Sequence, residues 1–175
     1  MVSVLQQRQP SARVQAAWQV LETVQDPEIP VISLCDLGVV REVRENGALL
    51  EVVLTPTYSG CPATEVIAHD VKTALQAARL GPIATVLQRA PAWTTDWISA
   101  KGKAALRDYG IAPPGPVPLE GAKPICITRR RQPPVPCPRC ASTHTERIAP
   151  FGSTPCKALY RCLACHEPFE HFKPI

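Results

Sequence analysis

The chain has 175 residues, 45% hydrophobic and 19% charged, with 20 prolines, eight cysteines and a formal net charge of +4. That apolar share excludes a disordered chain and suffices for a globular core of Val, Leu, Ile and Ala. Apolar runs only a few residues long exclude a membrane-spanning helix. Residues 1–10 hold no apolar stretch of the secretory kind, so the expectation is a cytoplasmic protein whose cysteines are thiols and metal ligands rather than disulfides.

Ser11 stands where it can cap a first helix, predicted over about 12–25 from Val14, Ala17, Trp18, Leu21 and Val24 at helical spacing. Asp26-Pro27-Glu28-Ile29-Pro30 stops it, because two prolines cannot continue a helix. Residues 39–45 and 48–55 read as strands joined at Asn46-Gly47, a strong hairpin signal. A second helix is predicted over 62–80, with Ile67, Val71, Ala74, Leu75 and Ala78 on one stripe and Gly81-Pro82 ending it. Residues 83–88 read as a third strand and 99–109 as a closing helix. The order αββαβα predicts a small α/β (α+β) domain with a three-stranded sheet covered by helices, spanning residues 1–112.

Charge and proline separate this unit from the rest. Residues 1–112 carry ten Lys/Arg against eleven Asp/Glu, whereas residues 113–175 carry nine against four. Nine prolines fall within residues 113–138. A segment of that composition favours extended polyproline II and reads as a semi-rigid linker, 113–136. The Arg129-Arg130-Arg131 run within it reads as a solvated stretch rather than a nucleic-acid contact.

Residues 137–175 read as a metal-stapled β-ribbon. Cys137-Pro138-Arg139-Cys140 and Cys162-Leu163-Ala164-Cys165 form two CxxC knuckles separated by 21 residues. Two such knuckles offer four thiolates to one tetrahedral ion. Fewer than about 40 residues cannot bury enough apolar surface to fold alone, so the metal supplies stability. Structural zinc is the expectation, with an iron–sulfur or rubredoxin-like iron centre as the alternative. Loss of the metal is expected to melt the ribbon and leave the first domain folded. Cys156 is open to three readings: a fifth ligand, a redox thiol, or a small buried hydrophobe. His144, His166 and His171 are expected at the surface, and Phe151, Phe169 and Phe172 on the ribbon's apolar face.

Chemistry in the first domain centres on Ser59-Gly60-Cys61-Pro62. Proline is favoured at the first helical position, which puts Cys61 at the N-cap of the second helix. There the helix dipole is expected to lower its pKa and make it reactive; the competing reading is a cysteine that merely fills the cap. The loop leaves the end of a strand, where open α/β sheets place their sites. Asp26 and Glu28, on a proline-stiffened loop, are candidates to bind metal or polarise the thiol. His69 lies two turns beyond Cys61, an unpersuasive spacing for a Cys–His pair. Trp93 and Trp97, flanking Thr94-Thr95-Asp96, are candidates to close over a site or dock a partner.

Asp26-Pro27-Glu28-Ile29-Pro30, Asp36-Leu37-Gly38, Thr55-Pro56-Thr57, Ser59-Gly60-Cys61-Pro62 and Trp93-Thr94-Thr95-Asp96-Trp97-Ile98 together resemble the SufT-like iron–sulfur-assembly domain family. With Phe151-Gly152-Ser153-Thr154, Cys156-Lys157-Ala158-Leu159-Tyr160 and Glu167-Pro168-Phe169 around the knuckle cysteines, nearly the whole chain is similar to the PaaD family of bacterial phenylacetyl-CoA epoxidase subunits. The resemblance implies an accessory role in aerobic phenylacetate degradation, helping to assemble or deliver an iron–sulfur cluster to the epoxidase's reductase component. Cys61 would be the family thiol, holding iron or a cluster in transit, with Asp26 and Glu28 in the same loop-built site. Cys137, Cys140, Cys162 and Cys165 would hold zinc. The alternative is an integral structural subunit of the epoxidase complex with no maturation role. Partners would be the epoxidase components and a second copy of the chain, with no membrane and no nucleic acid. The helices carry no Glu-x-x-His ligand pair of the di-iron kind, so independent catalysis is not expected.

Overall fold

The computed structural model describes residues 10–58, 60–115 and 134–175. Ser59, the Arg129–Arg131 run and most of the proline-rich segment lie outside them. Helix α1 (Ala12–Leu21) is capped by Ser11, whose side chain accepts from the Val14 N–H. It ends earlier than periodicity alone predicts, because the next residues are drawn into the acidic loop. There Asp26 N–H donates to the Ile32 carbonyl and Leu34 N–H to the Val24 carbonyl.

Strands β1 (Val40–Asn46) and β2 (Leu49–Leu54) form an antiparallel hairpin with Asn46 opposite Leu49. The turn residues are therefore Gly47 and Ala48, one place beyond the Asn46-Gly47 reading. Gly47 has φ +62°, the left-handed backbone required at the first central position of a type II′ turn. Helix α2 (Thr64–Ala77) crosses over to β3 (Ile83–Leu87), which pairs parallel to β2, giving sheet order β1-β2-β3. A short 3-10 turn (Thr95–Trp97) leads to α3 (Ala100–Tyr109), whose N-cap Ser99 accepts from the Gly102 N–H. Val14, Ala17 and Leu21 of α1, Ile67, Val71 and Leu75 of α2, and Leu50, Val52 and Leu54 of β2 build one core.

The chain then makes a second sheet. Strands β5 (Thr145–Ala149), β6 (Lys157–Cys162) and β7 (Pro168–Phe172) form an antiparallel ribbon, and β4 (Ile111–Ala112) joins its edge in parallel to β7, in the order β4-β7-β6-β5. The ribbon is welded to the first unit rather than strung from it. Phe172 and Cys156 belong to the same buried cluster as Leu21, Leu37 and Ile67. Phe172 is 0% exposed and its ring lies 5.9 Å from that of Trp93. The Thr95 N–H and the Thr94 hydroxyl both donate to the Ile175 carbonyl, at 3.1 and 2.8 Å. A shared core revises the expectation of separable melting, because removing the ribbon would expose the first domain's interior.

Several side-chain expectations change with it. Trp93 is buried and its Nε1 donates to the Leu37 carbonyl at 3.1 Å, so it is a core residue and not a docking surface. Trp97 lies under the Arg41 guanidinium, 3.5 Å from its ring centroid. Gly38, at φ +77°, leaves no room for a side chain, since a Cβ there would stand 2.8 Å from the Trp97 Cβ and carbonyl. Asp36 accepts from the Ser33 and Ser99 hydroxyls and pairs with Lys101 at 3.2 Å, tying the Asp36-Leu37-Gly38 turn to the start of α3. Phe151 is exposed, and Phe169 alone of the three phenylalanines sits in the ribbon's own core. His144 and His166 are exposed, but His171 is buried edge-on against Tyr160.

Candidate functional site: a thiol and acid pocket beside a four-cysteine centre

The loop after β2 builds the first site. Cys61 does not cap α2, whose N-cap is Ala63. A tight turn intervenes, in which Cys61 N–H donates to the Tyr58 carbonyl at 3.2 Å while Thr64 N–H and its hydroxyl donate to the Cys61 carbonyl, at 3.3 and 2.8 Å. The cysteine therefore precedes the helix N-cap by two residues. It lines a pocket with Asp26, Glu28, Pro56, Thr57, Ile67, Cys156 and Phe172.

The acidic loop is held by its own backbone. One carboxylate oxygen of Asp26 accepts from both Glu28 N–H and Ile29 N–H at 2.9 Å, a turn that proline at 27 stiffens. Asp26 is buried and Glu28 half-buried. Burial raises the pKa of Asp26 against the pull of those N–H groups, and burial followed by the neighbouring Asp26 raises that of Glu28. Lys157, from the ribbon, lowers both and is itself 3% exposed, paired with Glu170 at 2.8 Å.

The expected activation of Cys61 is reversed. Burial pushes its thiol up, and Glu28 and Asp26 push the same way, against the Ala63 N–H and the Thr64 hydroxyl. His69 is exposed and does not line the pocket, so no Cys–His pair forms there. Cys35 is held protonated as well, its thiol raised to about 12 by burial and by Glu22 and Asp36.

The second site is the ribbon's. Cys137, Cys140, Cys162 and Cys165 bring their sulfurs within 4.8 Å of one another, the one such set among the described residues. Sγ of Cys137 lies 3.7 Å from that of Cys165, and Sγ of Cys140 lies 3.6 Å from that of Cys162. A tetrahedral ion with metal–sulfur bonds of about 2.3 Å requires sulfurs about 3.8 Å apart, so the thiols stand where such an ion needs them. The N–H groups of Cys165 and Ala164 point at the Cys162 sulfur from 3.4 Å and pull its pKa down to about 6. Cys156 is not part of this set. It is buried on the ribbon's other face, in the Cys61 pocket. No local sequence signal places it there, since the Phe151-Gly152-Ser153-Thr154 turn beside it carries neither helical nor strand periodicity.

Comparison with known proteins finds two matching families. Residues 14–86 match the iron-sulfur cluster assembly protein family, and residues 122–173 match the PaaD zinc beta ribbon domain. The chain is 47% identical over 163 residues, 93% of its length, to a protein of Escherichia coli (strain K12) described as one of the subunits of 1,2-phenylacetyl-CoA epoxidase, and it covers 94% of that protein. It is 33% identical over 90 residues, half its length, to an Fe-S protein maturation auxiliary factor of Porphyromonas gingivalis (strain ATCC BAA-308 / W83), covering 85% of it. Among solved structures, a domain of unknown function from Bacillus anthracis matches with a TM-score of 0.50 at 28% identity, over 54% of this chain and 92% of that one.

Proposed function

We propose, from the premise that this chain belongs to the PaaD family of phenylacetyl-CoA epoxidase subunits, that it assists iron–sulfur cluster assembly or delivery to the reductase component of that epoxidase. The observation that carries the reading is the pocket at the end of β2, where Cys61, Asp26 and Glu28 converge. A thiol and two carboxylates around one small cavity can take iron from a donor and release it again, which a closed four-thiolate site does poorly. Cys61 is the thiol that holds the cargo in transit.

The ribbon metal is zinc in this reading, held by Cys137, Cys140, Cys162 and Cys165. Four protein ligands leave it no open position, so its contribution is to folding. The division of labour follows residues 1–112, where the cargo site begins, and 137–175, the ribbon, with 113–136 between them. No helix among the described residues is long and apolar enough to cross a membrane, and the setting is the cytoplasm. The partners are the epoxidase components, the iron–sulfur reductase above all, and pairing with a second copy belongs to the same proposal.

The test is co-expression of the reductase with the Cys61→Ser variant, measuring iron and acid-labile sulfide per reductase. Loss of cluster relative to the wild type is expected; unchanged content refutes the maturation role. A second reading is favoured by similarity along nearly the whole chain to a protein described as an epoxidase subunit. Under it the chain is a structural member of the complex, which predicts fixed stoichiometry on purification and full cluster content with Cys61→Ser.

A further inference from the structure

The Cys61 pocket is closed on one side by a thiol that the ribbon's metal centre does not use. Cys156 is 5% exposed and shares the pocket wall with Phe172. Its Sγ lies 3.0 Å from the Thr154 hydroxyl. The turn carrying Thr154 is fixed in its own right. Gly152 N–H donates to the Lys157 carbonyl at 2.8 Å, and Ser153 N–H donates to the Glu170 carboxylate. Gly152 also has to lack a side chain, because a Cβ there would meet the same carboxylate at 2.5 Å. Cys156 lines the pocket together with Asp26 and Glu28 of the acidic loop.

Tyr58 stands in the same turn as Cys61, whose N–H donates to its carbonyl. The Tyr58 hydroxyl is buried with no hydrogen-bond partner among the described residues. Its pKa is raised to about 12, by burial first and then by Cys61, Glu28 and Cys156 around it. The pocket itself is lined by Cys61, Cys156, Asp26 and Glu28. The cavity between them is about 10 Å³, the size of a single water molecule. That is room for a single ion.

Building on the maturation reading of Cys61, we propose that Cys156 is the second thiol of this site, and that Cys61 and Cys156, with Asp26 and Glu28, take one thiophilic divalent cation such as Fe(II) between the two units. Two soft sulfurs with two hard carboxylates suit a borderline ion. On binding, each S–H bond breaks, a sulfur lone pair goes to the cation and the proton leaves to solvent, with no change of oxidation state. Among the described residues only the ribbon tetrad holds three or more ligand atoms within 4.8 Å of one another, so binding here requires these side chains to draw together around the ion. Half the sulfur ligands come from the ribbon, so the cargo site exists only while the ribbon is folded and docked.

The experiment is an anaerobic titration of zinc-loaded full-length protein with Co(II), read by sulfur-to-cobalt charge-transfer absorption. Zinc content is checked throughout at one per chain. The wild type is expected to bind one ion. Cys61→Ser and Cys156→Ser are each expected to halve the band and weaken binding at least tenfold, with Cys156→Ala as a second variant in case serine disturbs the buried position. If both Cys156 variants keep the wild-type band and affinity while Cys61→Ser loses them, this inference falls and the maturation reading stands. If the wild type shows no band, or Cys61→Ser keeps it, both fall.

Discussion

Phe172→Ala should unfold both halves of the molecule together. Phe172 lies on the last strand of the ribbon, yet it is 0% exposed inside the first domain's cluster and 5.9 Å from the Trp93 ring. A buried Phe→Ala replacement costs about 3–5 kcal/mol through lost transfer energy and the cavity left behind. The aromatic contact adds about 0.5–1.5 kcal/mol. A loss of about 4 kcal/mol is a large share of the roughly 5–15 kcal/mol that holds a domain folded. Phe172→Leu keeps most of the volume and should cost about 1–2 kcal/mol, which guards against a variant too unstable to measure. The assay is urea unfolding followed by tryptophan fluorescence, with hydrogen exchange read separately over residues 12–109 and 145–172. Protection should fall in both ranges by the same free energy. A loss below about 1 kcal/mol, or one confined to residues 145–172, would refute the shared core.

Two further outcomes follow from the same packing. Stripping the ribbon metal with a chelator should remove protection over 157–172, lower it over 12–109 as well, and speed alkylation of Cys61 at least several-fold, because Cys156 and Phe172 form one wall of its pocket and belong to the shared core. Zinc binding worth about 10–16 kcal/mol in small thiolate sites makes the ribbon unable to hold without it, and an unchanged alkylation rate would count against the docked geometry. His171, whose pKa burial lowers to about 4 from 6.5, stays neutral in the native state while the unfolded chain takes up a proton below 6.5. Stability from this group therefore falls as pH drops from 6.5 towards 4, by about 2 kcal/mol at pH 5. The stability gap between wild type and His171→Gln should narrow by that amount between pH 7.5 and 5, and an equal gap at both would contradict the burial.

The elements of the first domain and the four-cysteine centre were legible because each is written locally. Helical spacing marks α1 and α2, a glycine turn marks the hairpin, and paired CxxC motifs mark the metal site. What local pattern could not carry was the docking of one unit on the other. Ile111 pairs beside Glu170, and Cys156 meets the pocket of Asp26, across gaps that no periodicity spans. A strand's alternation says that Phe172 faces inward without saying whose interior it enters. Trp93 is hidden for the same reason. Its loop looks polar from Thr94-Thr95-Asp96, yet folding over Leu37 and Phe172 buries it. The Cys61 position differs at shorter range. Proline at 62 promises a helix start, but the Tyr58-to-Thr64 turn delays it by two residues.

That delay changes what the thiol is for. A helix N-terminus stabilises an anion by about 0.3–1 kcal/mol, less than one pKa unit. Burial can move an ionisable group by several units. With Cys61 half-buried beside two carboxylates, burial wins and the thiol stays protonated. A nucleophile would be poorly served by this, since attack and oxidation both need the thiolate. A carrier is well served. The carboxylates that repel a bare thiolate attract a divalent cation, and the cation then supplies the positive charge needed for the thiol to ionise. On the proposed carrier role, the groups that keep the sulfur protonated are the same ones that favour a divalent cation over a free thiolate.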